Sequence, residues 1–152
     1  MSKMKVCHIT SVHPRYDIRI FIKECQALAR EHQVSLIVAD SLGDELHSGI
    51  HIYDVGKVAG GRLKRMRVTS QAIFNQVCVL KPHVVHFHDP ELIGIGRKLA
   101  RLGYKVIYDV HEDVPKQIMN KHWIPKLLRP VISRYVEWQE RKAANEFAGV
   151  IC

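Results

Sequence analysis

The sequence predicts an α/β fold: a doubly wound, mainly parallel sheet with helices on both faces, formed by a single domain over residues 1–152. Three observations predict it. Short runs rich in β-branched residues alternate with segments whose apolar residues recur every three or four positions, the pattern of successive βαβ units. The short runs are mostly continuous rather than alternating, as expected of strands covered on both faces. Helix start and stop residues fall where the pattern changes period.

The first strand is expected over residues 5–10, and a helix follows in which Phe21, Cys25, Leu28 and His32 recur at spacings of 4, 3 and 4. Residues 33–40 and 50–55 read as the next two strands. A long helix then carries Leu63, Met66, Ser70, Ile73, Val77 and Leu80 on one face. Residues 84–88 form a fourth strand. The helix after it has Leu92, Ile95, Leu99 and Leu102 on one face, with Asp89 to cap its start, Pro90 at the first position and Gly103 as the left-handed stop. Residues 105–110 form the fifth strand. Residues 114–147 read as one short and one longer helix, divided by Pro115, Pro125 and Pro130, and residues 149–152 open another strand. His8, His51 and His83 fall within or at the start of strands and are expected to be structural.

Composition narrows the class. At 47% apolar and 25% charged residues, the chain is globular in composition rather than disordered or fibrous. Its longest apolar runs are a few residues, far short of the about 20 needed to span a bilayer, and the start lacks the features of a secretory signal. Cys7, Cys25, Cys78 and Cys152 include no C-x-x-C pair, which fits a reduced, cytoplasmic protein. A net charge of +8 favours an anionic partner. No recognition motif supports nucleic acid, so none is expected.

In sheets of this kind ligands bind beyond the carboxyl ends of the strands. Three polar, histidine-bearing segments fall there: residues 11–19 after the first strand, His88-Asp89-Pro90-Glu91 after the fourth, and His111-Glu112-Asp113 after the fifth. Asp89 and Asp113 also suit helix capping. Asp17 with Arg15 or Arg19 also suits a loop ion pair, and His86 and His88, on one strand face, suit hydrogen-bonded core or rim positions. His111-Glu112 has no such structural explanation. His86-x-His88-Asp89 with Asp109 or His111 offers ligand types for a divalent ion, but without a fixed spacing the signal is weak, and no metal is expected. There is no P-loop, no nucleophile elbow and no dinucleotide fingerprint.

Basic residues form two further features. Residues 57–88 contain six Lys or Arg and no acid, with Lys57, Arg62, Lys64, Arg65 and Arg67 inside eleven residues. Gly60-Gly61 ahead of Arg62 suits either an anion-binding helix start or a solvated face. Lys116, Lys121, Lys126 and Arg129, interleaved with Met119, Trp123, Ile124, Leu127 and Leu128, are patterned like an interfacial amphipathic segment. Arg62, Lys64, Arg65, Lys116 and Lys121 are therefore the candidate anion or membrane surface.

Three segments carry a family resemblance: His13-Pro14-Arg15-Tyr16-Asp17-Ile18-Arg19 with Ile20-Phe21-Ile22-Lys23-Glu24, residues 81–90, and Ile107-Tyr108-Asp109-Val110-His111-Glu112. In this order and spacing the chain resembles the N-terminal domain of a GT-B-type retaining glycosyltransferase, the group 1 or family 4 class of bacterial polysaccharide biosynthesis. The resemblance implies a Rossmann-like domain, one half of a GT-B architecture, that receives a glycan or lipid-linked acceptor. A C-terminal domain absent from this chain would hold the nucleotide-sugar donor, with no cofactor and no metal required. It implies His111 as the catalytic residue and Asp17 and Arg19 as part of the loop on the acceptor side; Arg15, His88, Asp89 and Glu112, at the carboxyl edge, complete the expected substrate-binding set. With the basic surface, a cytoplasmic enzyme peripheral to the inner face of the plasma membrane is expected. The family often has glycines in the first strand–helix turn; here there are none. A non-catalytic sugar- or nucleotide-binding module and half of a GT-B-like sugar-nucleotide epimerase remain alternatives.

Overall fold

The computed structural model describes residues 2–110, 114–122 and 124–151. In chain order these form β1 (Lys5–Ile9), α1 (π-helical over Ile18–Cys25, then α-helical over Gln26–Leu28), β2 (Gln33–Val38), β3 (Glu45–His47), β4 (Ile50–Asp54) and α2 (Arg62–Leu80). They continue with β5 (Val84–Phe87), α3 (Ile93–Arg101, entered through a 3₁₀ turn at Pro90–Leu92), β6 (Lys105–Asp109), α4 (Val114–Asn120), α5 (Arg129–Ala144) and β7 (Gly149–Ile151). Among the described residues the strands make one sheet in the order β3-β4-β2-β1-β5-β6-β7. Every neighbouring pair is parallel except β3 with β4.

The sheet is buried on both faces, as its continuous apolar runs require. On one face α1 covers Val34, Leu36, Val38, Ile50 and Ile52 with Ile20, Phe21 and Cys25. The opposite face holds Cys7, Ile9, Val85, Phe87, Val106 and Tyr108, packed against residues of α2, α3 and α5. There Phe87 stacks on Tyr108 at 4.5 Å and meets the edge of Phe147 at 5.4 Å. Burying an aromatic or branched aliphatic side chain of this size stabilises by about 1.5–3 kcal/mol. Arg97 of α3 pairs with Glu146 beyond α5 at 2.7 Å, closing the same layer.

Two elements differ from expectation. The first helix begins at Ile18 and is wound as a π-helix, because the carbonyl of Asp17 accepts from both Phe21 N–H (2.9 Å) and Ile22 N–H (3.2 Å). The Asp17 carboxylate caps the same end, accepting from the N–H groups of Arg19 and Ile20, each at 2.9 Å. The second is β3, an antiparallel edge strand that was not expected. It joins β4 through Ser48-Gly49, both with positive φ (51° and 74°), the signature of a type I′ hairpin turn.

Gly96 is set by packing rather than backbone freedom. A Cβ there would lie 2.9 Å from Phe87 Cε1 and 3.2 Å from Phe147 Cζ. Gly94, two residues earlier, faces open space. Gly96→Ala is therefore expected to destabilise the chain by about 1–3 kcal/mol through overpacking, whereas Gly94→Ala gains up to about 1 kcal/mol from helix propensity. Urea midpoints moving in opposite directions check this; equal shifts would remove the packing argument.

Candidate functional site

At the carboxyl edge the ends of β1 and β5 lie side by side, and the residues just beyond them are tied by one carboxylate. Asp89, 2% exposed, accepts at Oδ2 from the Thr10 hydroxyl (2.7 Å) and the Ser11 N–H (2.7 Å). Its Oδ1 accepts from His13 Nδ1 at 2.8 Å. Burial pushes the Asp89 carboxyl up, but the bonds from His13, Ser11 and Thr10 outweigh it and hold the carboxyl below its usual range. The Ser11 hydroxyl also donates to Glu91. The bond from Nδ1 to Asp89 fixes the orientation of the His13 ring. Asp89 thus starts the turn into α3 through its backbone, as Leu92 N–H reaches its carbonyl at 2.9 Å. Its side chain makes no capping bond.

Two adjoining grooves open on this network. One, about 580 Å³, is lined by Ser11, His13, Glu91, Lys57 and Arg65, among others. The other, about 520 Å³, is lined by Asp89, Glu91, Arg62, Lys121 and Tyr135, among others. Val12 and Glu91 belong to both. Arg62, Arg65 and Lys121 thus reach the site itself and place cations beside hydroxyl, imidazole and carboxylate groups. Lys64 and Lys116 are exposed and line neither groove. Gly61 caps α2 without a side-chain bond, and the arginines crowd a helix end that favours anions.

Beneath this edge, on the face under α1, lies a second polar cluster. His8 of β1 and His86 of β5 are register partners, and His88 follows on the same face. His8 Nδ1 is 3.1 Å from His88 Nε2, and Glu24 of α1 turns its Oε2 toward all three rings. Arg19 spans both carboxylates: it donates to Asp109 at 2.8 and 3.1 Å and to Glu24 Oε1 at 3.4 Å. Burial, with the neighbouring His86, drives the His8 pKa well below its ordinary value, so its ring is neutral. Burial and the charge of Asp109 raise the Glu24 carboxyl to about 7 against the opposing pull of Arg19.

The expected site residues therefore separate. His88, Asp89 and Arg19 fall within these networks. Asp17 is the cap of α1. Arg15 lines the first groove, but its guanidinium is already held by Asp40 (2.6 and 2.8 Å), Glu45 (2.9 Å) and the Gly43 carbonyl (2.9 Å). His111 and Glu112 lie outside the described residues, as do Asp113 and Trp123. Thr10, Ser11, His13, Glu91, His8 and Glu24 join the networks although none was named by itself as a site residue, and His86, named only as a possible metal ligand, joins them too. For His13 the signal was available, since it opens the motif that carried Arg15 and Asp17.

Arg15 predicts an acid-sensitive loop. The guanidinium beside Asp40, and Tyr16 together with Arg15 beside Glu45, hold both carboxyls below their ordinary values. Folding then releases protons, so this stabilisation is present above about pH 4 and is lost as pH falls through the depressed values. Arg15→Gln is expected to cost about 2–3 kcal/mol at pH 7, reduced from the figure for a fully buried pair by the partial exposure of Asp40 and Glu45. Its stability should also fall less steeply than wild type below pH 4. Parallel acid titrations of the two proteins by urea unfolding check both.

No curated protein matches the sequence. Among solved structures, the glycosyltransferase SnogD from Streptomyces nogalater is similar at a TM-score of 0.56 and 14% identity, over 98% of this chain and 43% of its own. CalG4, the calicheamicin glycosyltransferase, is similar at 0.52 and 12%, over 92% and 42%. The chain thus spans less than half the length of these structures, and the likeness is one of fold, a Rossmann-like half of the GT-B architecture. In sequence, residues 19–152 match Glycosyltransferase Family 4. That match, over most of the chain's length, shows the family: the chain belongs to Glycosyltransferase Family 4.

Proposed function

We propose that this chain is the acceptor-side half of an enzyme that moves a sugar from a nucleotide-sugar donor to a glycan or lipid-linked acceptor with retention, in surface polysaccharide biosynthesis. The observation that carries the reading is the Asp89 network opening on a groove with a cationic border. Sugar hydroxyls are bound by alternating donors and acceptors held rigid beforehand, which Ser11, His13 and Glu91 supply. Lys57, Arg62, Arg65 and Lys121 suit the phosphate of a lipid-linked acceptor or of the donor. A second domain holds the donor opposite this edge.

In this reading the acceptor hydroxyl attacks the anomeric carbon from the face the nucleotide leaves. The bond from that carbon to the phosphate oxygen breaks, the bond to the acceptor oxygen forms, and the hydroxyl proton passes to the departing phosphate. No carboxylate pair is needed. This chain's residues orient the acceptor oxygen and offset charge on the leaving phosphate. Family resemblance adds His111 beside the reacting sugar, and Glu112 is kept as a substrate-binding candidate.

The 152-residue chain alone is expected to transfer no sugar and to bind no nucleotide sugar at micromolar concentration. In the protein carrying both halves, His13→Ala is expected to lower kcat/KM for the acceptor by about 10²–10³, with the affinity for the donor unchanged and the anomeric configuration retained in the product by NMR. An inverted product, or a loss confined to donor affinity, would overturn this assignment.

The same proposal places Arg62, Lys64, Arg65, Lys116 and Lys121 toward an anionic membrane. No helix among the described residues is long and apolar enough to cross one. Neutralising Arg62, Lys64 and Arg65 together is expected to weaken binding to acidic liposomes on the order of a hundredfold, at roughly 1 kcal/mol per residue. Equal binding to neutral and acidic liposomes would reduce these residues to a solvated face.

A further inference from the structure

The histidine cluster beneath the site holds more acceptor atoms than protons to share between them. His8 Nδ1, His86 Nδ1 and His88 Nε2 stand 3.7, 4.0 and 3.7 Å from Glu24 Oε2, and His8 Nδ1 stands 3.1 Å from His88 Nε2. One ligand atom from each residue, taken together, lies within 4.8 Å of all the others. His8 and His88 side chains are fully buried and His86 nearly so. Among the described residues, Glu24 Oε2 and the outer nitrogen of His8, Nε2, make no hydrogen bond. A buried carboxyl oxygen without a hydrogen-bond partner, facing three imidazole nitrogens, is costly unless a proton or a cation satisfies it.

We propose that His8, His86, His88 and Glu24 form a closed, four-ligand site for a divalent transition ion of the zinc class. Three nitrogens and one oxygen are an established donor type for zinc. Tetrahedral coordination with bonds of about 2.0–2.2 Å sets ligand atoms about 3.3–3.6 Å apart. Four of the six separations, 3.1, 3.7, 3.7 and 4.0 Å, lie a few tenths of an ångström from that spacing, and all fall within 4.8 Å, so His86 makes the largest shift on binding.

The surroundings match those of a ligand set. Asp109 Oδ2 lies 3.5 Å from His88 Nδ1, on the side of that ring away from Glu24, where a carboxylate orients the ring and strengthens its donor nitrogen. Arg19 fixes both carboxylates, taking Glu24 at Oε1 and so leaving Oε2 to the cluster. Burial keeps His8 neutral, the form that binds metal. Glu24, 23% exposed, is the side from which an ion enters. With all four positions filled by protein, the ion would join α1, β1 and β5 as a structural centre. The site departs from the absence of metal expected from sequence, and it stands independently of the proposed acceptor groove.

The test is titration of the chelator-treated chain with Co²⁺ and then Zn²⁺. One equivalent of Co²⁺ should give the intense visible absorption of tetrahedral cobalt, Zn²⁺ should abolish it, and Zn²⁺ should raise Tm. His88→Ala and Glu24→Gln should each lower affinity at least a hundredfold. Asp109→Asn should lower it by about 10–100-fold, as loss of an orienting carboxylate does. His51→Ala, at an exposed strand position, should leave it unchanged. If His88→Ala fails to fold, Glu24→Gln, an isosteric change, decides. The proposal is overturned if wild type shows neither the tetrahedral spectrum nor a Tm shift, or if a folded Glu24→Gln binds as wild type does.

Discussion

Strands β1 and β5 are neighbours in space, yet their paired residues lie 78 positions apart in sequence, with no hairpin to set how their ends leave the sheet. What sets it is the Asp89 carboxylate. It gathers the hydroxyl of Thr10, the backbone of Ser11 and the imidazole of His13, so the loop after β1 leaves in one direction. A charged acceptor in a buried setting makes stronger bonds than a neutral one and tolerates their loss poorly. Both grooves are lined by residues whose positions follow from that carboxylate.

A division of labour follows between two polar layers. Above the strand ends, hydroxyls, an imidazole and Glu91 face open grooves. Below them, the histidines, Glu24 and Asp109 are enclosed under α1. Arg19 reaches Asp109 at the end of β6 from the first turns of α1, so the helix that closes the lower layer is registered against the strand that carries the next loop. The π-winding of that helix belongs to this arrangement. It begins where the Asp17 carbonyl accepts two N–H groups, and Ile20, Phe21, Glu24 and Cys25 all turn toward the sheet.

Strands and helices were legible because burial on both faces writes a continuous apolar signature, and helical packing writes a 3–4 periodicity. The carboxyl edge was legible because the topology dictates where ligands gather. Of the lower cluster only His86, His88 and Asp109 stood out, as possible metal ligands. His8 has the pattern of any buried strand residue, and only pairing with His86 across the sheet gives it company. Glu24 reads as an ordinary helix carboxylate until the winding of α1 is known. Arg15 resembled a ligand-binding residue for the converse reason: its partners, Asp40 and Glu45, are distant in sequence and nothing local announces them. The β3 hairpin had a readable sign in Ser48-Gly49, but three residues are too few for a period to show.

The brevity of β3 has a consequence for how the molecule behaves in company. A parallel sheet with a long open margin would offer its unpaired backbone to any passing strand, the first step of aggregation. Here that margin is taken by a three-residue strand running the opposite way, whose Glu45 is bound up with Arg15 and Tyr16. An incoming chain finds too short a ladder to grip and a carboxylate already committed. The ion pair that secures the loop beside the groove therefore also guards the sheet against its own kind.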